Sequence, residues 1–402
     1  MEEFIKNLIK IQERIKAQIP KTKRYFYYDL KKALESKPPL AVMLYGLRGV
    51  GKTVALLQNL NKDSIYFRAD HIGFKKYRIY DVVEYLYNNL NIRQFMIDEI
   101  HRYEYWQEEI KGLYDDFPDI KIVLSGSSAL LARHKSADLS RRLRLIHAEP
   151  MKFYEFVEFK TGKKPPLFSI KEIIEEPLKV SMQIEQTYPS VYFLFQEYMR
   201  FGGLPIYLRE NDVVPLIANA IKRIIYVDVP FIIQNISFRI LKKLEIIVLF
   251  IALSKPGEFS YETLASITGL SKGSVYELIN ALVDADLIHF LFASSSKSSV
   301  RIRKRAKAYF THPTLRHALL LSVGEAENIG AYREEVFFHH IKNLGPVGYI
   351  KKRLKEPDFE LKVGKKTYVF EVGKHKDKQG FINVYDSDKA RYPLYMFGFL
   401  KS

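Results

Sequence analysis

Eight consecutive residues of this chain have the types and the spacing of a phosphate-binding loop. They fit G-x-x-x-x-G-K-[ST], and they are Gly46, Leu47, Arg48, Gly49, Val50, Gly51, Lys52 and Thr53. The glycines allow a tight turn in which backbone N–H groups come close to an anion. Lys52 would reach the β- and γ-phosphates, and the hydroxyl of Thr53 would hold Mg²⁺. The motif predicts binding of a nucleoside triphosphate, ATP, together with Mg²⁺.

Two carboxylates and a hydroxyl complete the predicted chemistry. Asp98 and Glu99 follow the apolar-rich residues 94–97. In this position Asp98 would bind the Mg²⁺ shell, and Glu99 would orient the attacking water. Ser125 follows a third apolar run, 122–124, and its hydroxyl either senses the γ-phosphate or belongs to an ordinary Ser/Gly turn.

The elements that must position these groups are strands alternating with helices. Strand-like runs occur at 41–45, 64–68, 94–97, 121–124 and 143–147. This alternation predicts an α/β fold, a parallel sheet with helices on both faces. Apolar residues at helical spacing in 4–16 predict an amphipathic helix ahead of it.

Composition limits the class of protein. A chain of 402 residues, 47% hydrophobic and 27% charged, predicts a soluble protein of two to four domains. The absence of cysteine excludes disulfides, thiolate zinc sites and a cysteine nucleophile. The longest apolar run, 246–253, is too short for a membrane span, and residues 1–16 lack a signal-peptide core. We therefore expect a cytoplasmic protein without a membrane partner.

The chain is strongly basic. Its 63 Lys and Arg against 46 Asp and Glu give a net charge of +17. This excess suggests DNA or another polyanion as a partner. A lysine- and glutamate-rich chain without cysteine is also typical of a thermophile protein surface.

Residues 260–310 predict a helix-turn-helix followed by a wing. Ser260 and Ser271 can cap successive helices, and Gly269 suits the left-handed residue between them. Strand-like segments at 287–292 and 300–310 would form the wing. The wing carries six cations without an acid: Lys297, Arg301, Arg303, Lys304, Arg305 and Lys307. Such a segment predicts salt-dependent contact with the DNA backbone. The alternative is a module that packs on the ATPase and relays its nucleotide state.

A β-hairpin is predicted near the carboxyl end. Gly364 and Lys365 suit a two-residue turn, and the resulting register pairs positions whose numbers sum to 729. This register places Asp358 opposite Glu371, and two such carboxylates repel unless a cation or a proton lies between them. The pair therefore predicts a second metal site.

Taken in order, the motifs resemble those of archaeal and bacterial predicted AAA+ ATPases. Besides the loop, Asp98-Glu99 and Ser125-Gly126-Ser127, the shared segments are Arg141-Arg142, 149–156 and Gly202-Gly203-Leu204-Pro205. The resemblance implies that Arg142 stabilises transferred charge, in cis or from a neighbouring subunit, although Arg141 replaces the usual glycine. It also implies a helical lid in which Pro205 contributes to the nucleotide site.

The hairpin resembles the metal-binding hairpin of the PD-(D/E)XK nuclease fold, and that fold also ends the proteins of this family. Glu334 or Glu335 would be a further ligand. That fold has a lysine where this chain has Gly373. A fold retained for binding or scaffolding is therefore favoured over an active nuclease.

Four domains are expected. They are a P-loop ATPase core (1–165), a linker and helical lid (166–238), a winged helix (239–320) and a small α+β nuclease-like domain (321–402). The predicted function is an ATP-hydrolysing AAA+-like switch that couples its ATP state to DNA, with a homo-oligomer as a further possibility. The alternatives are an ATP-gated metal-dependent nuclease and a nucleotide-binding adaptor with negligible turnover.

Overall fold

Five strands near the amino terminus form one parallel sheet, which confirms the predicted α/β fold. The strands are β1 Ala41–Gly46, β2 Ser64–Arg68, β3 Gln94–Asp98, β4 Lys121–Ser127 and β5 Leu143–His147. Their spatial order is β2-β3-β4-β1-β5. Every residue of β3 is buried, as are the first four of β1, because strands covered on both faces are built from continuous apolar runs.

The computed structural model describes residues 1–36, 41–129, 143–210, 212–256, 260–294, 306–350, 357–373, 380–385 and 391–401. The chain divides into two units, Met1–Glu149 and Pro150–Ser402. This division does not test the predicted four domains, which stay a prediction. No helix in the described ranges combines the length and the apolar character that a membrane span requires.

Helices cover the sheet of the first unit. They are α1 Glu2–Lys16, α2 Tyr25–Leu34, α3 Lys52–Gln58, α4 Ile79–Leu90 and α5 Trp106–Asp116. The predicted amphipathic helix is α1, which buries Ile5, Leu8 and Gln12. The Oε1 atom of Gln12 accepts a hydrogen bond of 2.6 Å from the backbone N–H of Tyr66. Since β2 is at the edge of the sheet, this bond satisfies a donor on an otherwise open edge.

The second unit begins with helices. They are α6 Phe153–Thr161, α7 Ile170–Glu175, α8 Pro177–Thr187, α9 Val191–Phe201, α10 Val214–Arg223, α11 Val229–Ile232, α12 Phe238–Leu253, α13 Tyr261–Thr268 and α14 Lys272–Asp284. The predicted linker thus contains two helices, because Ser169 and Glu172 form a capping box and Pro177 begins the next helix.

The rest of the second unit combines a β-ribbon, two helices and an antiparallel sheet. In chain order these are β6 Ile288–Leu291, β7 Lys307–Phe310, α15 Pro313–Ser322, α16 Ile329–Ile341, β8 Val347–Gly348, β9 Phe359–Val363, β10 Lys366–Val372, β11 Phe381–Val384 and β12 Arg391–Pro393. The ribbon pairs β6 with β7, and the sheet has the order β12-β11-β10-β9-β8. In the hairpin Phe359 pairs with Phe370, which confirms the predicted register.

A buried ion pair joins the helices of the second unit. The guanidinium of Arg316 on α15 lies 2.7 Å from Glu335 on α16, and both side chains are fully buried. Arg316 also donates to the carbonyl oxygens of Ile251 and Ala252 at the end of α12. Glu335 in turn accepts from the N–H of Phe310 on β7. Truncating either residue would leave the other as an unpaired buried charge, which is strongly destabilising. The pair therefore fixes how α12, α15, α16 and β7 pack together.

Two segments of the family resemblance lie together in this unit. The N–H of Met151 donates to the carbonyl oxygen of Gly203 at 2.8 Å. A Cβ atom at Gly203 would be 2.4 Å from Nδ1 of His312, so a side chain has no room there. Pro205 then begins the 3₁₀ turn Pro205–Leu208.

Candidate functional site

The predicted phosphate-binding loop connects β1 to α3. Gly49 and Gly51 have φ angles of 85° and 100°, in the region that favours glycine. A Cβ atom at Gly46 would lie 2.2 Å from the carbonyl oxygen of Ala148, so this position must also remain without a side chain. The strand, the tight loop and the following helix are therefore formed as the motif predicts.

The side chain of Lys52 folds back onto the loop. Its ammonium group donates to the carbonyl oxygens of Gly46 at 2.8 Å and Leu47 at 2.9 Å. The lysine is 8% exposed, so its charge lies within the loop and not in open solvent. A cation held against backbone that curves around it is positioned for a phosphate group.

The carboxylate of Asp98 is the meeting point of the site. Its Oδ2 atom accepts from the hydroxyl of Thr53 at 2.6 Å and from the phenol of Tyr66 at 3.0 Å. Its Oδ1 atom accepts from the hydroxyl of Ser125 and from the N–H of Glu99 at 3.1 Å. Four donors from the loop, two neighbouring strands and the next residue therefore hold one buried carboxylate.

The parallel register explains this convergence. Asp98 ends β3 and pairs with Arg68 at the end of β2. On the other side, Leu124 pairs with Ile97, which brings Ser125 beside Asp98. The carboxyl ends of parallel strands meet at one edge of the sheet, where ligands of α/β proteins bind.

Glu99 lies at the same edge in a strained conformation. Its φ angle is 54°, which is uncommon for a residue with a side chain and is often found at functional sites. Burial raises the pKa of the Glu99 carboxyl, and the charge of Asp98 raises it further. Arg48, whose guanidinium lies 3.9 Å from the carboxylate, opposes that rise. Nε2 of His101 is 3.4 Å from the same carboxylate.

Two contributors to this site escaped the sequence analysis. Burial, and next the charge of Asp98, raises the pKa of the Tyr66 phenol, so Tyr66 remains a hydrogen-bond donor. Arg24 is buried and donates to the carbonyl oxygens of Val50 at 2.5 Å and Glu149 at 2.8 Å. Neither residue belongs to a motif, and only the register and the packing bring them to the site.

Other predicted nucleotide contacts are not tested. Arg141 and Arg142 lie outside the described residues. Pro205 belongs to the second unit, and its role toward a nucleotide stays a prediction. Ser125 binds Asp98, and a role as a γ-phosphate sensor also stays a prediction.

The two helices of the predicted helix-turn-helix are confirmed, with their caps. The side chains of Ser260 and Ser271 accept from the backbone of the third residue after each, and Gly269 has a φ angle of 63°. On α14 the exposed Lys272 forms an ion pair of 2.8 Å with Glu262. The cation of this helix is thus already engaged, and DNA binding by the module stays a prediction.

The predicted wing contacts fall mostly beyond the described residues. Lys297, Arg301, Arg303, Lys304 and Arg305 lie in the segment 295–305, which the structure does not describe. Lys307, the sixth, begins β7, and its side chain is only 13% exposed.

The ammonium of Lys307 lies among carboxylates of the second unit. It is 3.0 Å from Asp358 and 3.9 Å from Glu334. The other oxygen of Asp358 accepts from the N–H of Val372, and Glu371 accepts from the phenol of Tyr385. Among the described residues, the cation beside Asp358 is therefore Lys307 of the chain itself.

This arrangement does not favour a second metal site at Asp358 and Glu371. Within the described ranges, no group of three or more His, Cys, Asp or Glu side chains is placed to hold a metal ion. Glu335, which the resemblance offers as a further ligand, is bound to Arg316. Glu334 is the other proposed metal ligand on α16, but its carboxylate accepts a hydrogen bond of 3.0 Å from the phenol of Tyr309.

Comparison with known proteins assigns part of the chain. Residues 38–157 match a family described as the AAA domain, and residues 192–326 match a family described as a domain of unknown function. The loop, the Asp98 cluster and the parallel sheet agree with the first match. Residues 38–157 are therefore similar to an AAA-type P-loop domain.

Individual relatives add less. An uncharacterized protein of Methanocaldococcus jannaschii is 27% identical over 352 residues, which are 81% of this chain and 72% of that protein. A RuvB variant of Thermotoga maritima aligns with 65% of this chain and 87% of its own, at 19% identity and a TM-score of 0.28. The S. cerevisiae Hsp104-ADP complex aligns with 68% and 40%, at 13% identity and a TM-score of 0.34. TM-scores of this size carry no argument for function.

The contacts of Lys307 with Asp358 and Glu334 predict how the stability of the protein depends on pH. Burial, and next the charge of Asp358, raises the pKa of Glu334 to about 7, while Lys307 opposes the rise. A carboxyl whose pKa is raised in the folded state stabilises the fold at pH values below its ordinary pKa. This stability is lost as the pH rises from the ordinary pKa through the folded-state pKa. Lys307→Met would raise the pKa further. The Lys307→Met variant should therefore lose more unfolding free energy at pH 8 than at pH 5, by about 1 kcal/mol.

Urea unfolding at both pH values measures this difference. Lys366→Met is the matched control, because Lys366 is exposed and pairs with Glu175 at 3.2 Å on the surface. The control should cost less than about 1 kcal/mol at either pH. Equal losses for Lys307→Met at pH 5 and pH 8 would show that its ammonium does not control the ionisation of Glu334.

Proposed function

We propose that the amino-terminal unit binds ATP with Mg²⁺ and hydrolyses it to ADP and phosphate. The observation that carries this proposal is the hydrogen bond between Thr53 and Asp98, which joins the end of the loop to the end of β3. A hydroxyl oxygen and a carboxylate oxygen 2.6 Å apart are the kind of hard oxygen ligands that Mg²⁺ prefers. Thr53 and Asp98 would hold the ion, which when bound neutralises charge on the phosphates.

The loop supplies the phosphate contacts in this proposal. Backbone N–H groups between Gly46 and Lys52 would donate to phosphate oxygens. Lys52 would exchange its bonds to the carbonyl oxygens of Gly46 and Leu47 for bonds to the β- and γ-phosphates. The exchange replaces two neutral acceptors by charged ones, and such charge-assisted bonds are the stronger.

Glu99 is the proposed base of the reaction. It follows the Mg²⁺ ligand directly, and its side chain is 25% exposed, so water can reach it. The carboxylate would accept a proton from the attacking water and orient it toward the γ-phosphate. The contact with Arg48 favours the ionised form that this role needs. Arg142, or Arg141, would stabilise the transferred charge, from the same chain or from a neighbouring copy.

Replacing Glu99 tests the hydrolytic step. Glu99→Gln keeps the size of the side chain but removes the base, so ATP turnover should fall by about 100-fold or more. Binding of ATP with Mg²⁺ should persist, because Thr53, Asp98 and the loop remain. Phosphate release and calorimetric binding measure the two quantities.

Glu104→Gln is the control for this experiment, since Glu104 is an exposed acid of the same unit. Its turnover should equal that of the unmodified protein. Turnover that survives Glu99→Gln would remove Glu99 from the mechanism. Binding without any turnover in the unmodified protein would favour the nucleotide-binding adaptor.

We further propose that the second unit contacts DNA through the basic segment between β6 and β7. This segment contains five of the six predicted cations, Lys297, Arg301, Arg303, Lys304 and Arg305. The sixth, Lys307, belongs to β7 and is engaged with Asp358. The antiparallel pairing of Leu291 with Lys307 holds the two ends of the segment side by side. ATP hydrolysis would then couple to DNA contact. The relay alternative needs no DNA. The ion pair between Lys307 and Asp358 argues against a metal-dependent nuclease.

Salt dependence tests the DNA proposal. Changing Arg303, Lys304 and Arg305 to Gln should lower the slope of log affinity against log salt by about 2 to 3 for duplex DNA. Three exposed lysines of the first unit, Lys31, Lys32 and Lys62, provide a control with the same loss of charge. Fluorescence anisotropy at several salt concentrations gives both slopes. If both triple variants change the slope equally, net charge and not this segment binds the DNA.

A further inference from the structure

The third hydroxyl on Asp98 comes from outside every motif. Thr53 ends the phosphate-binding loop, and Ser125 lies near the carboxyl end of β4, where a polar residue is expected. Tyr66 lies within β2 and is 1% exposed, yet its phenol donates to Oδ2 of Asp98 at 3.0 Å. A buried tyrosine on an edge strand is thus bound to the carboxylate proposed to hold Mg²⁺.

The sheet dictates this contact. Tyr66 pairs with Met96 in the parallel register, so its side chain shares a face with Met96 and with Asp98 two residues further on. A diagonal neighbour in a sheet is within reach of an aromatic side chain. The backbone of Tyr66 is fixed as well, because its N–H donates to Gln12 on α1 at 2.6 Å. The phenol therefore reaches Asp98 from a rigid base.

Tyr66 and Thr53 donate to the same oxygen of Asp98, so the loss of either donor has a specific effect on that oxygen. Oδ2 of Asp98 accepts from both Thr53 and Tyr66, while Oδ1 accepts from Ser125 and from the backbone. Without the phenol, Oδ2 would keep the Thr53 hydroxyl alone. Thr53 is itself a proposed ligand of the metal, so the carboxylate would lose its one Oδ2 partner that does not also bind the ion.

We propose that Tyr66 is a positioning residue that orients Asp98 and thereby sets the Mg²⁺ concentration at which the protein binds ATP. This inference rests on the proposed function of the first unit. Outer hydrogen-bond partners of metal ligands typically change metal affinity by about 10- to 100-fold when they are removed. Tyr66 does not touch the nucleotide in this proposal and acts only through Asp98.

The first unit contains a matched control. The phenol of Tyr103 also donates to a buried carboxylate, Glu109, at 2.8 Å. Glu109 is on α5 and accepts from the N–H of Tyr80 at the start of α4, so this second pair fixes two helices together. Tyr103→Phe removes the same hydroxyl from the same unit without touching Asp98.

The experiment is a Mg²⁺ titration of ATP binding by the full chain, followed by calorimetry, for the unmodified protein, Tyr66→Phe and Tyr103→Phe. Tyr66→Phe should need about 10-fold more Mg²⁺ for half-maximal binding. Its affinity for ATP in EDTA should equal that of the unmodified protein, since the loop and Lys52 are intact. Tyr103→Phe should lower the unfolding midpoint but leave the Mg²⁺ curve unchanged.

Three results would overturn the inference or its basis. A Tyr66→Phe curve that coincides with that of the unmodified protein removes Tyr66 from the metal site but leaves the proposed ATPase intact. An equal shift in Tyr103→Phe would mean that general destabilisation moves the curve. An unmodified protein whose ATP binding ignores Mg²⁺ would reject the proposed function itself.

Discussion

The hydrogen bonds that converge on Asp98 are the constraint on which the first unit depends. A buried carboxylate needs several donors, because an ionised group removed from water without partners is very costly. Here the donors are Thr53 at the end of the loop, Tyr66 on β2 and Ser125 on β4. Each must arrive from a different element, so the order β2-β3-β4-β1 and its register are needed for this one group. The same convergence that stabilises the carboxylate presents its oxygens beside the loop.

In the second unit, buried carboxylates are stabilised by cations of the chain. Arg316 neutralises the fully buried Glu335 and ties it to the end of α12, while Lys307 lies between Glu334 and Asp358. Three of the acidic residues considered as metal ligands, Asp358, Glu334 and Glu335, are thus matched by basic residues on neighbouring elements. The fold of the carboxyl-terminal sheet can persist in this way without a metal. Its basic partners also come from β7 and α15, so the β-ribbon, the helices and the sheet are held by charge as well as by apolar packing.

Much of this fold could be predicted from local sequence patterns. The contacts between residues far apart in the chain could not. The caps at Ser260 and Ser271 and the register of the hairpin follow from rules that act over a few residues. The parallel sheet follows from the alternation of apolar runs with helical segments. By contrast, Tyr66, Arg24 and Lys307 act through partners 26 to 125 residues away along the chain. Their types are common on any surface, and only strand order and packing reveal that they are buried against a loop carbonyl or a carboxylate. The helices in the predicted linker were a different kind of omission, since their capping box is visible in the sequence.

The central claim is that the loop from Gly46 to Thr53 binds the phosphates of ATP. Its most direct test is calorimetric titration of the full chain and of Lys52→Ala with ATP and Mg²⁺. Loss of a charge-assisted contact to phosphate corresponds to about 1.5–3 kcal/mol, so the affinity of Lys52→Ala should be at least about 10-fold weaker. The unfolding midpoint, measured alongside, shows whether the variant remains folded. Equal affinities for the two folded proteins would contradict the account, because the ammonium that lies against Gly46 and Leu47 would then play no part in binding.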